Sequence, residues 1–224
     1  MTVKQATPSA LLLTAPGCPH CPGMKRVLDE LLKEGLIGEL ETVDIAEQPQ
    51  QAEALGVRSV PWLKLGEFEL EGLHSVGELR SWAQHAATPE GLGVFFTEQL
   101  KSGRLPKVMS MVRHHPEQLD ALLQLAADAG TELTVRIGIS AVVEDLAGSD
   151  TLLEYLAVLE TLGTHPDPRV RADACHFLTT TNSEKAISPL EKLTTDSDPS
   201  VRDVAIDSLE ELKQELQNRT SGVP

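Results

Sequence analysis

Over about the first 85 residues, the hydrophobic positions switch between the spacing of a strand and that of a helix. A short apolar run at 10–14 predicts a buried strand. Apolar residues then recur three and four positions apart from Met24 to Leu32, which predicts an amphipathic helix ending at Gly35. Later patterns predict strands at 39–45, 62–65 and 68–70 and helices at 48–55 and 76–85. The expected order is β-α-β-α-β-β-α.

After residue 88 the strand patterns disappear, and one helical pattern follows another to residue 217. The predicted helices cover 91–102, 105–115, 117–129, 133–147, 150–162, 168–180, 184–194 and 199–217. The change of pattern predicts two domains, an α/β domain at 1–87 and an all-helical domain at 88–217. Residues 218–224 are expected to form a frayed tail.

The helical part contains an internal repeat. The segment 167–174, DPRVRADA, matches 198–205, DPSVRDVA, at a shift of 31 residues. In each copy the first Asp is expected to cap a helix by accepting a bond from a free backbone N–H. The proline that follows suits the first turn, where its missing N–H costs nothing. Helix pairs of this kind stack on their neighbours, so the repeat predicts an α-solenoid.

An arginine recurs once in each repeat. Arg171 and Arg202 occupy equivalent positions, and a weaker copy of the motif at 134–137 contains Arg136. We interpret these arginines as a structural ladder that bonds neighbouring helices, rather than as a basic binding stripe.

The charge of the chain limits its partners. The net charge is −15. Residues 1–87 carry 7 basic and 12 acidic side chains, and residues 88–224 carry 12 basic and 22 acidic side chains. Both parts would repel a phosphate backbone, so we expect no nucleic-acid partner.

The chain has 3 cysteines, an odd and low number that argues against the disulfide framework of a secreted protein. The apolar run at 10–13 is too short for the core of a signal peptide. No stretch approaches the ~18 apolar residues that a membrane span needs. These observations predict a cytoplasmic protein with no membrane partner.

The candidate chemistry lies at Cys18-Pro19-His20-Cys21, between the first predicted strand and the first helix. A thiolate at the start of a helix is stabilised by free N–H groups and by the helix dipole, so we expect Cys18 to be the nucleophile. Cys21, one turn later, would resolve the mixed disulfide. Pro19 suits a first helical turn. His20 would bring positive charge or a hydrogen-bond donor near the Cys18 sulfur, which would favour the reduced thiolate and make the disulfide more oxidising.

The cysteines have two other possible roles in this sequence. Cys18, His20 and Cys21 could supply metal ligands, but no second Cys-x-x-Cys completes a site, and we predict no metal and no cofactor. Cys175, on a repeat helix, is expected to be a small core residue.

The first part of the chain resembles the thioredoxin and glutaredoxin superfamily over about 8–86. The resemblance rests on the segment LLLTAPGCPHCP at 11–22 and on VRSVP at 57–61. It implies that Pro61 follows a cis peptide bond and faces the cysteines, where a client strand could pair with Val60. The Pro-His pair between the cysteines is that of a strongly oxidising periplasmic family member. Unlike thioredoxin itself, the chain has no Trp before Cys18.

The second part resembles HEAT-like repeats of the phycobilisome lyase type, most closely over 150–217. The resemblance rests on AISPLEKL at 186–193 and DSDPSVR at 196–202. It implies an α-solenoid with a protein-binding surface, and no lyase chemistry.

Taken together, these features predict a thiol–disulfide oxidoreductase whose helical repeats recruit a protein client or an electron-donor protein. The alternative is a redox-sensing scaffold or adaptor, in which the Cys-x-x-Cys pair regulates the binding of a partner.

Overall fold

The computed structural model describes residues 7–221. The chain forms two compact units, a first that ends at Phe95 and a second that begins at Phe96. The predicted boundary at 87/88 lies eight residues earlier and stays a prediction.

The first unit has the predicted β-α-β-α-β-β-α order. Its strands are β1 (Ser9–Thr14), β2 (Glu39–Asp44), β3 (Trp62–Leu65) and β4 (Phe68–Glu71), and its helices are α1 (Cys21–Lys33), α2 (Pro49–Ala54) and α3 (Val76–Ala86). They form a mixed sheet with the strand order β2-β1-β3-β4. β1 pairs with β2 in parallel and with β3 antiparallel, and β4 is antiparallel to β3.

Two apolar clusters hold this unit together. One contains Leu13, Val43, Ala52 and Trp62, and Val60 packs against it. In the other, the ring of Phe95 stacks on Phe68 at a centroid distance of 4.8 Å and lies 5.4 Å from Trp82. Phe95 is fully buried and therefore packs as a core residue of the first unit, although it lies beyond the predicted 1–87 domain.

All the other elements within residues 7–221 are helical. They are α4 (Gly91–Lys101), α5 (Leu105–His114), α6 (Leu119–Ala127), α7 (Leu133–Asp145), α8 (Asp150–Glu154), α9 (Leu156–Leu162), α10 (Pro168–Thr180), α11 (Ile187–Leu193) and α12 (Pro199–Ser221). Short 3-10 turns at Pro116–Gln118 and Glu184–Ala186 precede α6 and α11.

Two predictions about these helices need correction. The single helix expected at 150–162 is divided, because the Tyr155 N–H turns to the carbonyl of Leu152 and ends α8. Residues 218–221 of the expected tail are helical, and Arg219 donates to the carbonyl of Asn182 at 3.1 Å. Residues 222–224 lie outside the described residues.

In the repeat, the aspartates cap helices and the arginines bond to neighbouring segments, as the sequence predicts. The carboxylate of Asp167 accepts the Arg169 N–H at 2.8 Å, and that of Asp198 accepts the Ser200 N–H at 2.9 Å. The guanidinium groups tie the helices to neighbouring segments through three sets of bonds: Arg136 to Asp173 and Ala126, Arg171 to Asp196 and His165, and Arg202 to Asp196 and Ser197. The ladder is therefore structural.

Within the described part of the chain, no helix is both long enough and apolar enough to cross a bilayer.

Candidate redox site

The Cys-x-x-Cys segment leads from the end of β1 into α1. The helix begins at Cys21 and not at Cys18, with His20 as its N-cap residue. Pro19 therefore lies before the helix, and Pro22 is the proline of the first turn, which corrects the sequence-based placement. The first main-chain bond of the helix runs from Met24 N to His20 O at 3.1 Å, which fixes this start.

The sulfur of Cys18 nevertheless lies against the helix N-terminus. The backbone N–H of Cys21 donates to Cys18 Sγ at 3.2 Å. The N-cap residue His20 forms no side-chain cap bond, and the Cys18 sulfur accepts the N–H of the first helical residue. The position favours negative charge on the sulfur, because the N–H dipoles of the first turn point toward it.

The two cysteines form a disulfide with a Cα–Cα distance of 5.6 Å. Their exposure differs. Cys21 is only 5% exposed, whereas Cys18 is half-buried. A thiol or disulfide that approaches from solvent therefore reaches Cys18 more easily than Cys21.

Pro61 lies at the same edge of the sheet. Leu13 of β1 pairs with Trp62 of antiparallel β3, so the segment that leaves β1 and the segment that enters β3 meet at one edge. The Val60–Pro61 peptide bond is cis, as the resemblance implied. Pro61 is buried and Val60 half-buried. A client strand paired with Val60 stays a prediction.

The loop after β4 belongs to the same edge, which the sequence patterns did not predict. The Gly72 N–H donates to the Pro61 carbonyl at 2.9 Å, which places this loop beside the cis-proline segment. Beyond it, Leu73 is 61% exposed, and Leu73 and His74 line a groove together with Gly23, Arg26 and Val27 of α1. An apolar residue between the Gly and the Ser that caps α3 was the signal available in the sequence.

The structure also describes the surroundings of His20, the possible metal ligands and Cys175. The His20 side chain is exposed and forms no cap bond, and its effect on the Cys18 sulfur stays a prediction. Residues 7–221 contain no group of three or more His, Cys, Asp or Glu side chains that could hold a metal ion. Cys175 is fully buried, and burial raises the pKa of its thiol to about 12, so it is protonated at neutral pH.

Each of the two units matches a known protein family. The thioredoxin domain family matches residues 11–84. A thioredoxin of Methanocaldococcus jannaschii is 40% identical over 63 residues, which cover 27% of this chain and 74% of the relative. The chain belongs to the thioredoxin family. A probable thioredoxin of Archaeoglobus fulgidus is 34% identical over 71 residues, 31% of this chain and 78% of that protein.

The thioredoxin family is one of thiol oxidoreductases, and the disulfide of this thioredoxin domain lies at its Cys-x-x-Cys segment. The second unit matches HEAT repeats over residues 119–210. This match begins before residue 150, where the sequence motifs predicted the clearest resemblance to begin, and it includes α6 and α7. HEAT repeats generally mediate contacts between proteins.

Proposed function

We propose that Cys18 and Cys21 exchange disulfides with a protein client by two successive displacements. The Cys18 thiolate attacks one sulfur of a client disulfide, which forms a mixed disulfide and releases the second client sulfur as a thiolate that takes up a proton. The Cys21 thiolate then attacks Cys18 Sγ, forms the Cys18–Cys21 disulfide and releases the reduced client. The reverse sequence oxidises a client dithiol.

The observation that carries this proposal is the unequal environment of the two sulfurs. Cys18 is the accessible one and accepts the Cys21 N–H, which favours its thiolate. Cys21 is buried, so a second external thiol reaches it poorly and it serves as the resolving group. The cis-proline segment at Val60 lies at the same sheet edge and offers backbone for a client strand.

The experiment is turnover of a small disulfide, such as an aromatic dithiobis compound, with a chemical reductant. Cys18→Ser should abolish turnover, and Cys21→Ser should trap a mixed disulfide on Cys18. Cys175→Ser is the matched control and should retain full activity, since that thiol is buried in the other unit. No turnover by the native chain would contradict the proposal and favour the redox-sensing adaptor instead.

We propose further that the repeats recruit the client or the electron-donor protein. A bound partner has a high effective concentration at Cys18, in the millimolar range for a short connection. Deleting the chain beyond α4 should leave turnover of the small disulfide nearly unchanged, while exchange with a partner trapped through Cys21→Ser should fall by orders of magnitude. An equal loss on both substrates would mean that the repeats only stabilise the first unit.

We place this exchange in the cytoplasm. One disulfide at the Cys-x-x-Cys segment and one buried free thiol are not the structural disulfide framework of a small secreted protein.

A further inference from the structure

An apolar groove lies between α6 and α9, the first helices of two successive pairs in the second unit. Its apolar lining comes from Leu123 and Ala127 of α6 and from Ala157, Val158 and Leu162 of α9. Leu123 and Leu162 form the buried floor, whereas Val158 is 40% exposed. The lining residues on α6 run from Asp120 to Ala127, about 10 Å along the helix axis, which corresponds to about two turns of a helix.

Three carboxylates cluster at one end of this groove, around the hydroxyl of Tyr155. Tyr155 lies between α8 and α9, and its hydroxyl donates to the carbonyl of Pro116 at 3.5 Å. Burial raises the pKa of Tyr155, and the negative charges of Asp120, Glu117 and Glu154 raise it further. Asp120 also lines the groove itself. All three carboxylates are exposed to solvent.

The sequence around the groove supplies almost no positive charge to offset these groups. No lysine or arginine occurs at 114–135 or at 137–168, the segments that contain α6, α8 and α9. Glu117 has a histidine neighbour, with His115 Nδ1 at 3.4 Å from its carboxylate, and this pair is ionic only when the imidazole is protonated. The helices α6, α8 and α9 therefore contribute no lysine or arginine of their own to the acidic end of the groove.

We propose that this groove binds an amphipathic segment of the client whose apolar face is followed by lysine or arginine residues at one end. The apolar side chains pack against Leu123, Ala157 and Val158, as an amphipathic helix does in a hydrophobic groove. The basic end lies against Glu117, Asp120 and Glu154, which fixes the direction of the segment. This inference rests on the proposed recruitment of a client by the repeats, and it names the partner's chemistry and the surface that recognises it.

The test is the binding of synthetic peptides to the full-length chain, followed by fluorescence anisotropy. The probe is an amphipathic peptide of about 15 residues with a leucine face and three lysines at one end, long enough for marginal helicity. One control peptide replaces the lysines by glutamates, and another keeps the composition but scatters the leucines around the helix. The lysine peptide should bind, and both controls should bind at least tenfold more weakly.

Variants of the chain locate the site. Asp120→Asn with Glu154→Gln should weaken binding of the lysine peptide about five- to tenfold, since it removes two exposed charge pairs and each contributes modestly. Ala157→Gln, which narrows the groove without a change of charge, should weaken it to a similar extent. The matched control is Asp203→Asn with Glu210→Gln on exposed positions of α12, and it should leave binding unchanged.

The inference is overturned if the lysine peptide does not bind, if the glutamate peptide binds equally well, or if the α12 control weakens binding as much as the groove variants. Circular dichroism confirms that each variant is folded. Turnover of the small disulfide by the same variants should be unchanged. If the peptide does not bind in the groove, the redox proposal is therefore unaffected. If the native chain shows no turnover, the peptide-binding measurement still tests the groove.

Discussion

In both units a helix starts with a proline in its first turn and a side chain that accepts a main-chain N–H, but the accepting group differs. In α10 and α12 a proline stands in the first turn, and a carboxylate, Asp167 or Asp198, accepts a main-chain N–H. In α1 a proline also stands in the first turn, but the acceptor is the sulfur of Cys18. A carboxylate cap keeps its charge at neutral pH, whereas a sulfur changes its charge when the disulfide is reduced. The same helix start therefore stabilises the fold in one unit and favours chemistry in the other.

The largest expected difference is between the thiols of the two units. In the reduced chain at pH 7, iodoacetamide should modify Cys18 at least a thousandfold faster than Cys175, because only a thiolate reacts and the pKa of Cys175 is raised to about 12. Rates on Cys→Ser variants, measured against pH by mass spectrometry, check this. Cys21 should react more slowly than Cys18; a faster Cys21 at neutral pH would reverse the assignment of nucleophile and resolving thiol.

The next prediction concerns where the first unit ends. Phe95→Ala should reduce the free energy of unfolding of that unit by about 3–5 kcal/mol, because it removes a fully buried ring from the Phe68 and Trp82 cluster. The chain has 2 tryptophans, Trp62 and Trp82, so urea unfolding followed by tryptophan fluorescence reports this unit. Val94→Ala, at an exposed position, is the control. If Phe95→Ala leaves the fluorescence transition in place, the sequence-based boundary at 87/88 is the better one.

In the second unit, removing one partner of the arginine ladder should have a somewhat smaller effect. Arg171 and Asp196 are paired at 2.7 Å with side chains only 11% and 10% exposed, so Asp196→Ala leaves a largely buried guanidinium without its carboxylate. We expect a loss of about 2–3 kcal/mol, below the range for fully buried pairs, measured by thermal unfolding of the helical signal. Asp203→Ala, at an exposed site on α12, should change stability by less than about 0.5 kcal/mol.

The same pair predicts a pH dependence. Hydrogen bonds from Arg171 lower the pKa of Asp196 in the folded state. A lowered pKa contributes stability that is present above the unfolded value of about 3.9 and is lost as pH falls through and below it. The Asp196→Ala variant should therefore lose less stability than the native chain between about pH 4 and pH 2. Parallel curves for the two proteins would contradict this.

The smallest predicted effect concerns His20. The reduction potential of the Cys18–Cys21 pair should lie above that of thioredoxin, about −270 mV, because positive charge or a donor from His20 beside the helix start would favour the reduced thiolate. His20→Ala should lower the potential by roughly 30 mV, equivalent to about 1.4 kcal/mol for two electrons. Equilibration with glutathione measures it, and Lys25→Ala is the control. A native potential at or below the thioredoxin value would remove the role given to His20.

Much of the architecture could be predicted because its signals are local. The 3.6-residue spacing of Met24, Leu28 and Leu31 marks the buried face of α1, and those side chains are buried. The Asp-Pro starts of α10 and α12 follow from capping chemistry that operates within three residues. The break between α8 and α9 could not be predicted from local signals. It accompanies a hydrogen bond from the Tyr155 hydroxyl to the carbonyl of Pro116, 39 positions away in the chain.

The sequence by itself determined the element order, the helix caps, the repeat and the position of the Cys-x-x-Cys pair, since each depends on neighbours a few residues apart. Only the tertiary structure decided which side chains meet. Antiparallel pairing of β1 with β3 brings Val60–Pro61 and the loop at Gly72 to the edge where Cys18 lies. Packing decided that Phe95 belongs to the first unit and that α6 and α9 leave between them an apolar groove with an acidic end. The physical reason is that burial and the clustering of charges depend on distances between residues far apart in the chain. The residue pattern within one segment gives no information about those distances.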